Sequence, residues 1–317
     1  MMFALVPSFF AAVLLLWTAA AQAQTGDDAQ QGERDPAVVG DIGDVQLNAA
    51  ISAAISQIRD GEAFLSVLDE HFPTATKTFP SCEASASYPP AAEAEGTFAE
   101  VLEDGVLVFG LPANATTIQQ FNIEVDNLIV DALSSHYGVD ISPKFVIVDN
   151  LADFFVPFRE AMNVGEADVL TWFTVTERRA HSVDYTSCSL VNFVNEVGVW
   201  VLDSSELAGT NLTAKPDALD GMKVGVCDNC FYISDFTKTA PGVLLEEHAV
   251  FDMVPALKQG KVDGVATILA GGPGLEEFLT TAGLVKLEGS FVLGNDTRAA
   301  ATRYAGPDGA VTGQGGL

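Results

Sequence analysis

Gly165–Thr186 reads GEADVLTWFTVTERRAHSVDYT, and it joins a helix stop, a strand and a cluster of polar side chains in one run. Gly165-Glu166-Ala167-Asp168 has the look of a helix end followed by an acidic turn. Val169–Phe173 is short and mostly apolar, the pattern of a strand covered on both faces. Directly beyond it stand Thr174, Thr176 and the adjacent pair Arg178 and Arg179. The whole chain has 15 Lys and Arg among 317 residues, so two in a row at a strand end are uncommon here. A guanidinium beside hydroxyls offers forked donors to a carboxylate or another planar anion. The plainer reading is an arginine pair that solvates a loop of a very acidic protein, and composition by itself favours it.

Working outward, Val106–Phe109 and Phe145–Val148 read as further buried strands. Between them Leu128, Ile129, Ala132, Leu133 and Tyr137 line one face of a helix, Asp126–Tyr137, which Gly138 stops. A second helix, Leu151–Met162, leads into Gly165. The order is β-α-β-α-β, which implies parallel strands with right-handed crossovers. Downstream, Val197–Leu202 and Lys223–Val226 read as strands, a helix follows Cys230, and Val250–Gln259 reads as another helix. Then Gly260-Lys261-Val262-Asp263 precedes a strand as Gly165-Glu166-Ala167-Asp168 does, 260 − 165 = 95 residues later. A repeated unit at that spacing predicts two related lobes, with a ligand between them against strand C-terminal ends and helix N-termini.

A strand ending in Thr174-x-Thr176-x-x-Arg179, followed by Val183-Asp184-Tyr185-Thr186, resembles family 3 of the periplasmic solute-binding proteins, the polar amino-acid binders of ABC transporters. The resemblance implies an α/β, two-lobed periplasmic binding protein-like II fold, mostly parallel sheets flanked by helices, with a hinge between lobes. It assigns Arg179 rather than Arg178 to the ligand's carboxylate, with Thr174 and Thr176 as the motif threonines and Trp172 on the same strand. It implies a small carboxylate or amino-acid ligand, an ABC transporter permease as partner, and no cofactor, metal or catalytic residue. Leu47–Pro73 resembles the last helices of that family yet comes early in the chain. Circular permutation, a remnant of a preceding copy, and an ordinary accessory helix pair all account for it.

The chain departs from the family at two points where an acid usually holds the ligand's ammonium: Leu111-Pro112 and Ile268 stand there instead. The second-lobe turn that touches ligand in the family is here Asp228-Asn229-Cys230. Cys227 and Cys230 read as a local disulfide or inert thiols rather than a redox or zinc motif. Four cysteines allow three connectivities, and in one of them Cys82 and Cys188 form the second pair and tie the linker to the first lobe.

Residues 1–23 read as an export signal, with an apolar core Phe9–Ala20 and the small-x-small site Ala21-Gln22-Ala23, although no basic residue precedes the core. The expected organisation is a signal over 1–23, a linker over 24–44, a helix pair over 45–73 packing on the first lobe, and a linker over 74–105. The first lobe follows over 106–195, the second over 196–288, and a return segment with a flexible C-terminus over 289–317. A net charge of −28 excludes nucleic acid and anionic lipid surfaces as partners. The expected location is periplasmic or extracellular, with no membrane contact after signal cleavage. Two other functions fit the same residues: an enzyme on this fold, of the cyclohexadienyl-dehydratase kind, or a sensory or scaffold domain that has lost its ligand.

Overall fold

The structure, a computed structural model, describes residues 42–73, 75–82, 86–113, 116–149, 153, 155–269 and 278–304. The expected signal at 1–23 and nearly all of the 24–44 segment lie outside the described residues. Helices α1 (Ile42–Ile58) and α2 (Glu62–His71) open the described chain, and the short strand β1 (Lys77–Thr78) follows. α1 begins three residues before the boundary expected at residue 45. The first βαβ unit comprises β2 (Val106–Pro112), α4 (Thr116–Tyr137), β3 (Ser142–Val148), α5 (Val156–Asn163) and β4 (Val169–Thr174), preceded by α3 (Gly96–Asp104). α3 corrects the reading of 74–105 as plain linker. Its Phe98 and Val101, three residues apart, are buried, a stripe hidden in sequence by the Pro-, Ser- and Ala-rich stretch before it.

After the four-residue helix α6 (Glu177–Ala180) and β5 (Val183–Tyr185), the long strand β6 (Val191–Leu202) carries the chain into its second half. There β7 (Lys223–Cys227), α7 (Ile233–Thr239), β8 (Leu244–His248), α8 (Met253–Lys258) and β9 (Gly264–Ile268) form the second unit. β10 (Leu284–Lys286) and β11 (Phe291–Arg303) complete the described chain. β11 runs through residues that the sequence presents as the start of a Gly- and Ala-rich tail; Ala299, Ala300 and Ala301 are fully buried there.

All strands among the described residues belong to one sheet, whose main path is β3-β2-β4-β11-β6-β9-β7-β8. The two ends are parallel trios, β3-β2-β4 and β9-β7-β8. The centre is antiparallel, because β6 leaves the first trio and β11 returns to it. Two main cores sit at the two ends. One gathers Leu47, Ile51 and Ile55 of α1 with Phe64 of α2, Phe109 of β2 and Ile129 of α4. On the other face of the same trio Phe158 and Met162 of α5 pack on Leu170 and Phe173. The second core gathers Trp200, Val224, Phe236, Leu257 and Val265. These are two lobes, each with its own parallel trio, and β6 and β11 are the strands that pass between them. A disulfide joins Cys82 to Cys188 in the first lobe and another joins Cys227 to Cys230 in the second. No helix among the described residues is long and apolar enough to cross a membrane.

Candidate functional site

β4 is irregular where it meets the site. Leu170 pairs with Ala301 and Phe173 with Ala299, so β4 has one residue more than β11 over that interval. The extra residue makes a bulge, and Trp172 takes the strain with φ of 65°. Its effect is to turn consecutive side chains to the same side. The Thr171 hydroxyl donates to Asp126 of α4, and the Trp172 ring packs 4.2 Å from Phe121 of the same helix. A regular strand would have placed them on opposite faces.

The chain leaves β4 at Thr174. Thr176 caps α6, its hydroxyl accepting from the Arg179 backbone N–H at 3.2 Å. This short turn folds Arg179 back over the strand end, where the side chain is 4% exposed. Its guanidinium lies 5.1 Å from the Phe155 ring centre and 5.0 Å from that of Phe173. Nη1 donates to the Thr174 carbonyl at 3.5 Å, and the same carbonyl accepts from the Tyr185 hydroxyl at 2.7 Å. Burial, aided by the neighbouring guanidinium of Arg298, pushes the Arg179 pKa down to about 10. Burial also pushes the Tyr185 phenol up to about 12, although nearby Arg179 opposes it.

Arg179, Thr174 and Trp172 line a cavity of about 40 Å³ with Pro112 of β2, Asn122 of α4 and Arg298 of β11. Four buried polar atoms of this lining have no hydrogen-bond partner among the described residues: Arg179 Nη2, Thr174 Oγ1, Asn122 Oδ1 and Arg298 Nε. Such orphans are uncommon in folded proteins and normally meet water, an ion or a ligand. Arg298 is the residue the sequence reading missed. It bonds Asp296 through Nη2 at 2.5 Å and lies between Trp172 and the second lobe's Phe231, 5.9 and 5.2 Å from their ring centres. The signal available was the Asp-x-Arg pair Asp296 and Arg298 directly before Ala299–Ala301, charged residues where a buried strand has little room for them.

Asp126 is the second residue missed. It is fully buried one turn beyond Asn122, with Oδ1 held by Thr171 and Oδ2 unpartnered among the described residues. Burial holds its carboxyl well above the usual carboxylate range, against the Thr171 hydrogen bond. It appeared in the sequence as the polar start of a helix because that helix was read as beginning there. The helix begins at Thr116, ten residues earlier.

The second-lobe turn contributes differently from the expectation. Among the described residues neither Asp228 nor Cys230 lines the cavity, and Cys230 is tied to Cys227. Thr176 does not line it either, its hydroxyl being taken by the helix cap. Asn229 sits in the left-handed region with φ of 57°, which asparagine tolerates. There its side-chain amide donates to Asp153 Oδ2 at 2.5 Å, across from the second lobe to the first. Asp153 Oδ1 meanwhile accepts from Phe155 N and Val156 N at 2.7 and 2.8 Å, capping α5. Asp228 is half-buried, and its carboxyl is pushed up by burial first and by Glu247 next.

No protein-family model matches the chain, and no curated protein matches it. Solved structures with a similar arrangement include an ancestral arginine-binding protein bound to glutamine, at 22% identity and TM-score 0.45, covering 64% of this chain and 86% of that one. The solute receptor for L-cysteine of Neisseria gonorrhoeae aligns at 21% identity and TM-score 0.46, covering 65% and 80%. The periplasmic VFT2 domain of Bordetella pertussis BvgS aligns at 14% identity and TM-score 0.48, covering 66% and 85%.

Proposed function

We propose that this chain is an extracytoplasmic solute-binding protein that captures a small carboxylate-bearing solute between its lobes for delivery to an ABC transporter permease. The observation that carries the reading is the buried, unpartnered Nη2 of Arg179 beside the unpartnered hydroxyl of Thr174. A guanidinium taken out of water without a counter-charge is costly, and a ligand carboxylate supplies both the charge and the acceptor. The aromatic walls of Phe155 and Phe173 hold the fork in one plane, which a bidentate contact needs. Two disulfides fit an oxidising compartment.

The cavity of about 40 Å³ is far below the roughly 300–1,000 Å³ of ordinary ligand sites. It has room for the carboxylate end of a ligand. Entry of the remainder requires the lobes to part at β6 and β11, with loss of the Asn229–Asp153 bond. Closure of two lobes around a solute is the familiar mechanism for such sites.

The test is a thermal-shift screen of carboxylates and amino acids, followed by calorimetry on any ligand found. Arg179→Ala is expected to abolish the ligand-induced shift. Arg179→Lys should restore little of it, since a point charge cannot reproduce the fork. A ligand whose affinity is the same in wild type and Arg179→Ala would remove Arg179 from the site and the reading with it.

A further inference from the structure

From the charges that surround the cavity we infer that its ligand is a carboxylic acid with no amine on the carbon beside the carboxylate, such as a 2-oxo or 2-hydroxy acid, held jointly by Arg179 and Arg298. This rests on the solute-binding reading above and narrows the ligand class.

The charge count is simple. The cavity lining described contains two guanidiniums, Arg179 and Arg298, and no carboxylate. Asp296 neutralises Arg298 through its Nη2 bond. Arg179 has no ion pair among the described residues, so the site has one positive charge in excess. A single carboxylate cancels it. An α-ammonium, lying within a few ångströms of that carboxylate, would restore the excess beside two guanidiniums in a poorly hydrated place. Like charges so placed repel strongly when buried.

The acids nearby do not change the count. Asp126 lies behind Thr171, fully buried, and burial favours its protonated form. Asp153 keeps its charge but lies outside the cavity lining, with its oxygens turned to the start of α5 and to Asn229, and it is the weakest of the groups acting on Arg179. Asp228 belongs to the second-lobe turn and does not line the cavity. Meanwhile the unpartnered Asn122 Oδ1 and Thr174 Oγ1 suit a neutral hydroxyl or carbonyl next to the carboxylate, one accepting and the other donating. Burial first, and Arg298 beside it, lower the Arg179 pKa, while Tyr185, Asp296 and Asp153 act the other way.

The experiment is calorimetry on the full chain with three matched sets: pyruvate, lactate and alanine; 4-methyl-2-oxopentanoate, 2-hydroxy-4-methylpentanoate and leucine; phenylpyruvate, phenyllactate and phenylalanine. In at least one set the oxo or hydroxy member is expected to bind at least tenfold more tightly than its amino counterpart. In the double variant Arg298→Gln/Asp296→Asn, which removes the pair without leaving a lone buried charge, that preference should shrink. If an amino acid binds as well as or better than its partners, and Arg179→Ala abolishes that binding, this inference fails while the carboxylate clamp stands. If no member of any set binds at millimolar concentration, this inference fails, and the wider carboxylate screen above decides the solute-binding reading by itself.

Discussion

The two Gly-x-x-Asp units of this chain are built alike and used differently. Gly165 ends α5 with φ of 75° and Gly260 follows α8 with φ of 68°. In both, the glycine N–H returns to a carbonyl three residues back, Met162 or Leu257, and the next N–H returns to Ala161 or Ala256. These are the paired bonds of a left-handed helix stop. Asp168 then brackets Val108 of β2, accepting from its N–H at 2.9 Å and donating its own N–H to its carbonyl. Asp263 brackets Lys223 of β7 in the same way. Beyond this point the copies part. β4 bulges at Trp172 and ends in Thr174 and Arg179, whereas β9 pairs with β6 without a shift in register. The buried polar side chains follow the same division. They lie in the first lobe and on the crossing strands, while the second lobe buries Thr267. One scaffold is repeated, and the unpartnered polar atoms of the cavity lie on the first copy and on β11.

The largest test of that asymmetry concerns α1, which covers the first trio and has no described counterpart over the second. Leu47, Ile51 and Ile55 are fully buried in a helix that packs on α3, α4 and β11, and each such side chain contributes roughly 1.5–3 kcal/mol. Removing residues 42–73 should therefore prevent the first lobe from folding, seen as aggregation and loss of the cooperative melt. Within the intact chain, Ile51→Ala should cost about 2–5 kcal/mol. A monomeric deletion protein with an unchanged melting temperature would make α1 an appendage and the asymmetry superficial.

The disulfides come next. Cys82–Cys188 closes a loop of 106 residues in sequence and Cys227–Cys230 one of 3. On the chain-entropy view the first stabilises by about 5 kcal/mol and the second by about 2 kcal/mol. Replacing Cys82 and Cys188 by alanine should lower the denaturant midpoint more than replacing Cys227 and Cys230. Equal losses would put the stabilisation in native contacts rather than in the unfolded chain.

How much of this was legible beforehand follows from the same division. The strands β2, β3, β4, β7 and β9 were read from apolar runs between glycine stops, and the Gly-x-x-Asp repeat announced two lobes. Arg179 was singled out by the resemblance of Thr174-x-Thr176-x-x-Arg179 and Val183–Thr186 to a family motif, since composition by itself favoured a solvated arginine pair. Arg298 was not, because it comes to the cavity on a strand 119 residues later (298 − 179), and local sequence carries no sign of which strand will return. Asp126 was hidden because α4 extends a full ten residues before the apolar stripe becomes regular. The bulge at Trp172 leaves no mark in composition at all, since tryptophan is an unfavourable residue for a positive φ.

Asp126 gives the comparison a pH axis, because the second lobe buries no acid among the described residues. A free aspartate titrates near ~3.9, and burial raises Asp126 well above that in the folded chain. Between those two values the folded state holds a proton that the unfolded chain has released. Stability contributed here is therefore present at low pH and lost as pH rises through that window. Asp126→Asn removes the dependence. The variant should melt above wild type at neutral pH and close to it near pH 4. A wild-type advantage at neutral pH would mean that Asp126 is ionised and holds a cation, against the charge count of the cavity.

The smallest effect tests the repeat itself. Asp168 and Asp263 make the same backbone bracket, but Asp168 is half-buried near Arg303 while Asp263 is exposed. If the bracket alone mattered, alanine at either site would cost the same. Burial argues otherwise. Asp168→Ala leaves the Val108 N–H without its acceptor in a partly dry place, which costs about 1–3 kcal/mol. At Lys223 water replaces the lost carboxylate, and Asp263→Ala should cost no more than ~0.5 kcal/mol. Asparagine separates charge from geometry. It still accepts from Val108, and burial already disfavours the Asp168 charge by raising its pKa, so Asp168→Asn should be close to neutral at pH 7. Chemical denaturation of the three variants reads all of this. Equal losses from the two alanine variants would show that the two lobes are equivalent here and that their difference begins only at the ends of β4 and β9.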